Sequence, residues 1–236
     1  MTETLIKENP ERPQYFNIPE QISGIIFDID STLYRNSEYA FEQIDVQIRE
    51  FARERNIQPE EARQLVAEKR RAWAESHDGQ KISLANVMVS LGVPVSKSIE
   101  WRKSLINPAD FLSPDEQLCK AVSLLEQQYK IICVTNNPAS TGTRTLEALN
   151  LFQYFFEKPN GTGLIGLDTC GVSKPAPEPF ELAFKKLGLK PENCISVGDR
   201  YDIDLAYPLS AGAGGILVTG PEDVIRMTEK LFSTAV

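Results

Sequence analysis

The chain has 236 residues, 42% of them hydrophobic, with 25 Lys+Arg against 33 Asp+Glu, a formal net charge of −8 and one histidine. That length suits one domain with a smaller insert, and the acidic balance excludes the basic patch of a nucleic-acid binder and the polybasic anchor of a membrane-surface protein. With His77 alone, a two-histidine zinc site is excluded, which leaves carboxylates to carry any chemistry.

Residues 1–20 are polar and contain Pro10, Pro13 and Pro19, so they read as an extended N-terminal arm. The arm has no apolar core of a signal peptide, and no stretch of the chain approaches ~20 apolar residues. The expectation is therefore a cytoplasmic protein without a membrane partner. Cys119, Cys133, Cys170 and Cys194 form no Cys-x-x-Cys pair. Cys133 and Cys194 fall inside strand-like runs, where a reduced thiol acts as a small hydrophobe. Asn160-Gly161-Thr162 matches a glycosylation acceptor, which is empty without a secretory route.

Ser23–Asp28 (SGIIFD) is a β-branched and aromatic run that predicts a buried strand ending at Asp28. From Ser37 to Asn107 the pattern is helical. Ala40, Phe41, Ile44, Ile48, Phe51 and Ala52 recur on one predicted face. Pro59-Glu60-Glu61 opens a second helix, with acids at the positive end of its dipole. Leu84 to Leu91 and Ile99 to Leu105 supply two more, the former stopped by Gly92-Val93-Pro94. Residues 37–107 are thus a block of about four helices. Trp73, His77 and Trp101 read as packing residues within it. Arg70 and Arg71 read as a solvated face, with guidance of an anionic substrate as the alternative.

After the N-cap signature Ser113–Glu116, strands and helices alternate. Strands are predicted at 131–135, 164–167, 194–197 and 216–219, with helical segments at 146–151, 179–187, 205–211 and 224–232. This alternation predicts an α/β fold with a parallel sheet covered on both faces, built from 21–36 and 108–236 and interrupted by the helical block. Gly161–Gly166 formally matches a dinucleotide fingerprint. With no strand before it and no helix after it, it reads as a flexible loop ahead of Lys174. Charge divides unevenly: residues 37–110 hold 11 basic and 12 acidic side chains, the remainder 14 and 21.

Three predicted strands end in polar residues: Asp28-Ile29-Asp30-Ser31-Thr32, Thr135-Asn136-Asn137, and Gly198-Asp199-Arg200-Tyr201-Asp202-Ile203-Asp204. In open parallel sheets ligands sit beyond the carboxyl ends of strands, so these segments converge. Crowded carboxylates there need a cation. Asp28, Asp30, Asp199 and Asp204 offer hard oxygen donors, which suit Mg²⁺.

FDIDSTLY (27–34), VTNN (134–137), Lys174 of SKPAPEPF and VGDRYDIDLA (197–206) together resemble, in order and context, the haloacid dehalogenase-like hydrolase superfamily. The resemblance covers roughly 22–220. It implies a Rossmann-like three-layer parallel-sheet core with a small all-helical cap domain inserted after the first strand. It further implies a phosphatase acting on a small phosphorylated substrate, as a monomer or homodimer. Asp28 would be the nucleophile and Asp30 the general acid and base. Mg²⁺ would be held by Asp28, the Asp30 carbonyl and Asp199. Thr135, Asn136 (through its backbone N–H) and Lys174 would hold phosphate oxygens. Asp204 would orient the metal surroundings or Lys174, with Asp202 competing for that role. Tyr34, Arg35 and Asn36 are candidates to read the leaving group, and LYRN resembles the start of some nucleotidase-like members. Ser31 stands where glycine is common, which implies a different loop conformation there. A phosphomutase, a dehalogenase-like hydrolase and a non-catalytic phospholigand-binding protein are the alternatives. Asp30 counts against the dehalogenase, and the intact acids count against the non-catalytic protein.

Overall fold

The computed structural model describes residues 13–79 and 82–233. Most of the polar arm, residues 1–12, lies outside them. Within the described part of the arm, Gln14–Phe16 forms a short strand, β1, which the proline-rich sequence concealed. Strand β2 (Gly24–Phe27) is buried along its whole length and ends where the first acidic segment begins.

Four helices follow: α1 (Ser37–Arg55), α2 (Pro59–Ser76), α3 (Leu84–Ser90) and α4 (Val95–Leu105). Asn36 caps α1 by accepting the Tyr39 amide at 2.9 Å, and Pro59 opens α2 where no helical N–H is needed. Ile48, Phe51, Ala52, Ala62, Val66, Val87, Met88 and Trp101 form a core internal to these helices. The predicted face of α1 was partly wrong. Phe41 is 61% exposed and Ile44 38%, while Asp45 and Gln47 are buried. Ion pairs explain the inward acid, because Asp45 is gripped by Arg49 and by Arg63 of α2. Gln47 accepts the Ser98 hydroxyl of α4 at 2.7 Å. Trp101 packs in this core as expected, whereas Trp73 is part-exposed and stacks on His77 at 3.6 Å.

The remaining elements are α5 (Glu116–Gln128), β3 (Lys130–Val134), α6 (Ala139–Ala148), α7 (Phe152–Phe156), β4 (Gly161–Ile165), α8 (Leu167–Cys170) and α9 (Pro177–Leu187). They are followed by β5 (Cys194–Gly198), a π-turn at Tyr201–Leu205, α10 (Ala206–Ser210), β6 (Gly214–Leu217) and α11 (Pro221–Ser233). The described strands make one six-stranded sheet in the order β1-β6-β5-β2-β3-β4. All neighbours are parallel except β1, which runs antiparallel to β6 with Tyr15 opposite Ile216. The stretch read as a flexible glycine loop is strand β4. A Cβ on Gly161 would stand 2.3 Å from the Tyr154 carbonyl oxygen, so glycine serves close packing of β4 on α7 rather than flexibility.

Helices α5, α6, α7 and α11 cover one face of the sheet, and α9 with α10 covers the other. This is the three-layer Rossmann-like α/β arrangement. From β2 the chain steps to β3 and β4 on one side, then returns to β5 and β6 on the other, which makes β2 the switch point of the sheet. Phe27 is in register with Cys133 of β3 and Val197 of β5, so the residues just after all three strands share one edge. No helix of the described residues is long and apolar enough to cross a membrane.

Candidate active site

Asp28 closes the β2 ladder, its amide donating to the Val197 carbonyl at 2.9 Å. The chain then folds back in a tight turn, with the Leu33 amide on the Ile29 carbonyl at 3.0 Å and Ser31 at φ 61°. Serine here keeps the left-handed backbone that favours glycine, so the turn has the glycine-like conformation despite the substitution. The turn aims the Thr32 hydroxyl back at Asp28, where it donates to Oδ2 at 3.1 Å.

Lys174 is 4% exposed and reaches Asp28 Oδ1 at 2.7 Å and Asp204 Oδ1 at 2.6 Å. Its backbone is clamped by the Asn136 side chain, which accepts the Lys174 amide at 2.7 Å and donates to the Lys174 carbonyl at 3.1 Å. Asp204 is turned inward by the π-turn, and its Oδ2 accepts the Arg200 amide at 3.0 Å. A Cβ on Gly198 would fall 2.4 Å from Asp204 Cβ, so glycine at the end of β5 is what admits this acid. Asp202 is exposed and pairs with Arg200, which separates the two competing acids: Asp204 faces the cluster and Asp202 does not.

Carboxylate oxygens of Asp28, Asp199 and Asp204 lie within 4.8 Å of one another. Burial, with Asp204 and Asp30 nearby, holds the Asp28 carboxyl well above the ordinary carboxylate range, although Lys174 opposes the shift. Burial and Asp204 push Asp199 up to about 6. Burial disfavours the Lys174 charge, but Asp204 and Asp28 outweigh it and raise the ammonium pKa. One ammonium thus faces three acids. Oxygen-only donors, buried and short of positive charge, fit a hard divalent cation.

Asp30 stands apart from that cluster and is enclosed by donors. Tyr34 OH (2.5 Å) and Gln43 Nε2 (3.1 Å) meet its Oδ1, while Asn137 Nδ2 (2.9 Å) and Thr135 Oγ1 (3.3 Å) meet its Oδ2. Gln43 also donates to Tyr34 OH at 3.0 Å and accepts Asn137 Nδ2 at 2.8 Å.

These contacts place several expected residues differently. The Thr135 hydroxyl donates to Asp30 Oδ2 and accepts the Asn137 amide at 3.1 Å. Tyr34 is buried against Asp30, Arg35 is exposed, and the Asn36 side chain is taken up by the α1 cap and by the Phe111 carbonyl at 2.8 Å. Tyr34 and Asn36 are thus engaged elsewhere, whereas Arg35 is exposed and stays a candidate to read the leaving group. Gln43 and Asn137 were missed. Asn137 lies in the quoted VTNN segment, but Gln43 carries no local signal beyond its place on α1.

A cavity of about 800 Å³ opens between the helical block and this sheet edge, lined by Lys174, Asn136 and Ser173 below and by Arg70, Trp73 and Ser83 above. The switch point at β2, the acid trio and the buried lysine lie together beneath this cleft, which marks the sheet edge as the candidate active site. The profile of the haloacid dehalogenase-like hydrolases matches residues 22–212, and the chain belongs to that family. The chain is 26% identical over 200 residues to the glyceraldehyde 3-phosphate phosphatase of Methanopyrus kandleri, covering 81% of each. It is 25% identical over 216 residues to the phosphoglycolate phosphatase of Escherichia coli, covering 84% of this chain and 82% of the relative. The crystal structure of a HAD phosphatase from Thermococcus onnurineus shares the fold, with a TM-score of 0.54 at 20% identity over 81% of this chain and 84% of that one. The chain is therefore an enzyme, a hydrolase of a family whose relatives named above are phosphatases.

Proposed function

We propose that this enzyme is a Mg²⁺-dependent phosphatase that releases phosphate from a small phosphorylated metabolite through an aspartyl-phosphate on Asp28. The observation that carries the reading is the position of Asp28: at the switch point of the sheet, beside Lys174, with Asp199 and Asp204 within reach of one shared cation.

In this reading Asp28 attacks phosphorus in line and the bond to the leaving oxygen breaks. Asp30 gives the departing oxygen its proton, then takes a proton from the water that splits the aspartyl-phosphate and restores Asp28. Lys174 and the Asn136 backbone amide hold charge on the phosphoryl oxygens. Asn136 keeps Lys174 in place through its two backbone hydrogen bonds. Asp28 and Asp199, with the Asp30 carbonyl, are the residues that would hold the metal, and Asp204 orients Lys174 toward the phosphoryl oxygens. When bound, Mg²⁺ supplies positive charge that offsets the carboxylates and the substrate phosphate.

The proposal includes residues 37–107 as a cap domain over a core of 21–36 and 108–236. Its support is the separate core of the four helices and the cleft beneath them. It also includes a cytoplasmic location, supported by buried free thiols at Cys119, Cys133 and Cys194. The test is a phosphate-release screen over nucleotides, sugar phosphates and phosphoglycolate, with and without Mg²⁺. The expected result is Mg²⁺-dependent net hydrolysis that Asp28→Asn abolishes. Full turnover by that variant, or isomerised product in place of free phosphate, contradicts the proposal.

A further inference from the structure

Arginines of the helical block are mostly satisfied. Arg49 pairs with Glu42 and Asp45, Arg53 with Glu50, and Arg63 with Asp45 and Glu60. Arg70 of α2 is different. It is half-buried, and among the described residues it has no hydrogen-bond or ion-pair partner. Its Nε is sealed from water without an acceptor. Its helical neighbours three and four positions away are Val66, Ala67, Trp73 and Ala74, so α2 offers no carboxylate to answer it. Burial lowers its guanidinium pKa, with no acid raising it again.

An uncompensated cation in a half-buried position is costly, and a ligand that brings the missing anion removes that cost. Arg70 lines the same cleft as Lys174, Asn136 and Ser173, across from the groups assigned to the phosphoryl position. A second arginine repeats the pattern. Arg102 of α4 lines an adjoining cavity of about 460 Å³, which shares Ile44, Ser83, Asn136 and Ser173 with the first. It makes no ion pair among the described residues: it donates to the Ser98 carbonyl at 3.5 Å, the Asn136 carbonyl at 3.1 Å and Asn137 Oδ1 at 3.4 Å, and its Nη2 is buried without a partner. Among the described residues, the cleft thus has an arginine without any partner, Arg70, on its helical side, facing Lys174 and Asn136 on the other, and a second arginine without an ion pair in the adjoining cavity.

We infer that the leaving group of the natural substrate carries a second anionic group, a carboxylate or a phosphate, and that Arg70 is the specificity-determining residue that binds it. This rests on the phosphatase reading above and adds the class of ester to it. Arginine suits the task because its planar fork meets a carboxylate or phosphate with paired donors. Trp73, one turn further along α2, borders the same space and limits water around the contact.

The test compares kcat/KM for 2-phosphoglycolate and 3-phosphoglycerate (carboxylate arm) and glycerol 1,3-bisphosphate (phosphate arm) with that for glycerol 1-phosphate (neutral reference). Wild type is compared with Arg70→Gln and Arg70→Lys. Wild type prefers one anionic arm, and Arg70→Gln lowers that preference by roughly tenfold or more, mainly through KM. Arg70→Lys retains part of it. The arm that loses its advantage names the anion. The inference is overturned if wild type shows no preference for either arm, or if Arg70→Gln leaves the ratio unchanged while phosphate is still released. Absence of Mg²⁺-dependent release from every ester overturns the phosphatase reading and this inference with it.

Discussion

Gln43 Nε2, on the first helix of the block, lies 3.1 Å from Asp30 Oδ1 at the sheet edge. The same amide group meets Tyr34 OH and Asn137, so one helical side chain joins the helical block to three positions around the assigned acid and base. Gln43 acts here as a positioning residue. Gln43→Leu is expected to lower kcat roughly tenfold with a smaller change in KM, the scale of losing a hydrogen bond to a charged group. It should also move the pH profile of kcat, whereas Gln43→Glu, placing a like charge beside Asp30, should do more damage. An unchanged pH profile and kcat in Gln43→Leu would reduce the contact to packing.

Lys174 is held between two buried carboxylates, and its loss leaves both without a counter-charge. Lys174→Met should cost about 3–5 kcal/mol of stability above about pH 8, where Asp28 is ionised, as breaking a buried pair does. The cost should shrink as pH falls below the raised Asp28 pKa, where that protonated carboxyl needs no partner. Activity should fall roughly 10²–10³-fold, the scale of removing one oxyanion donor. Urea denaturation at two pH values, with phosphate release at the higher one, checks both parts.

The two raised carboxyls set a pH dependence of known sign. Asp199 titrates at about 6 in the folded protein, and Asp28 is also raised. Free carboxyls in the unfolded chain titrate near about 4. The stabilisation these acids give is full below that unfolded value and is lost as pH rises through the folded ones. Metal-free protein should therefore lose stability from about pH 4 through about pH 6, and further above it as Asp28 ionises. Mg²⁺ binds the ionised forms, so the rise in Tm it causes should grow with pH. Melting curves at about pH 5 and about pH 8, with chelator or with Mg²⁺, test this. A Mg²⁺ increment that does not grow with pH contradicts it.

Ser31 holds φ at 61°, a conformation that costs a residue bearing a Cβ roughly 1–2 kcal/mol. Glycine removes that strain but adds flexibility to the unfolded chain, worth about 0.5–1 kcal/mol in the other direction. Ser31→Gly should accordingly stabilise by up to about 1 kcal/mol, read from the denaturation midpoint. A loss of stability would mean that the serine side chain supports the turn.

The strand-end acids were legible because each follows a β-branched run whose end is sharp in the sequence. Much else was not. Strand β1 is three residues long and exists through its pairing with β6, which no local pattern encodes. Glycines in β4 looked like a loop, yet the first of them is required by the approach of α7. Spacing alone could not choose between Asp202 and Asp204, because the choice is made by the π-turn and by the space above Gly198. Hydrophobic periodicity placed Phe41 and Ile44 inside, since it does not register that Asp45 and Gln47 have partners there. Gln43 acquires meaning only from the docking of the helical block over the sheet edge, and Arg70, read from sequence as a solvated face with guidance of an anionic substrate as the alternative, is half-buried in that cleft.

The central claim is that Asp28 carries the phosphoryl group. Rapid acid quench during steady-state turnover with Mg²⁺, followed by mass spectrometry of the peptide spanning residues 24–35, tests it most directly. The account predicts a phosphorylated Asp28 that appears with substrate and is absent in Asp28→Asn. Steady turnover with no phosphoryl group ever found on Asp28, and with Asp28→Asn still releasing phosphate, would contradict it.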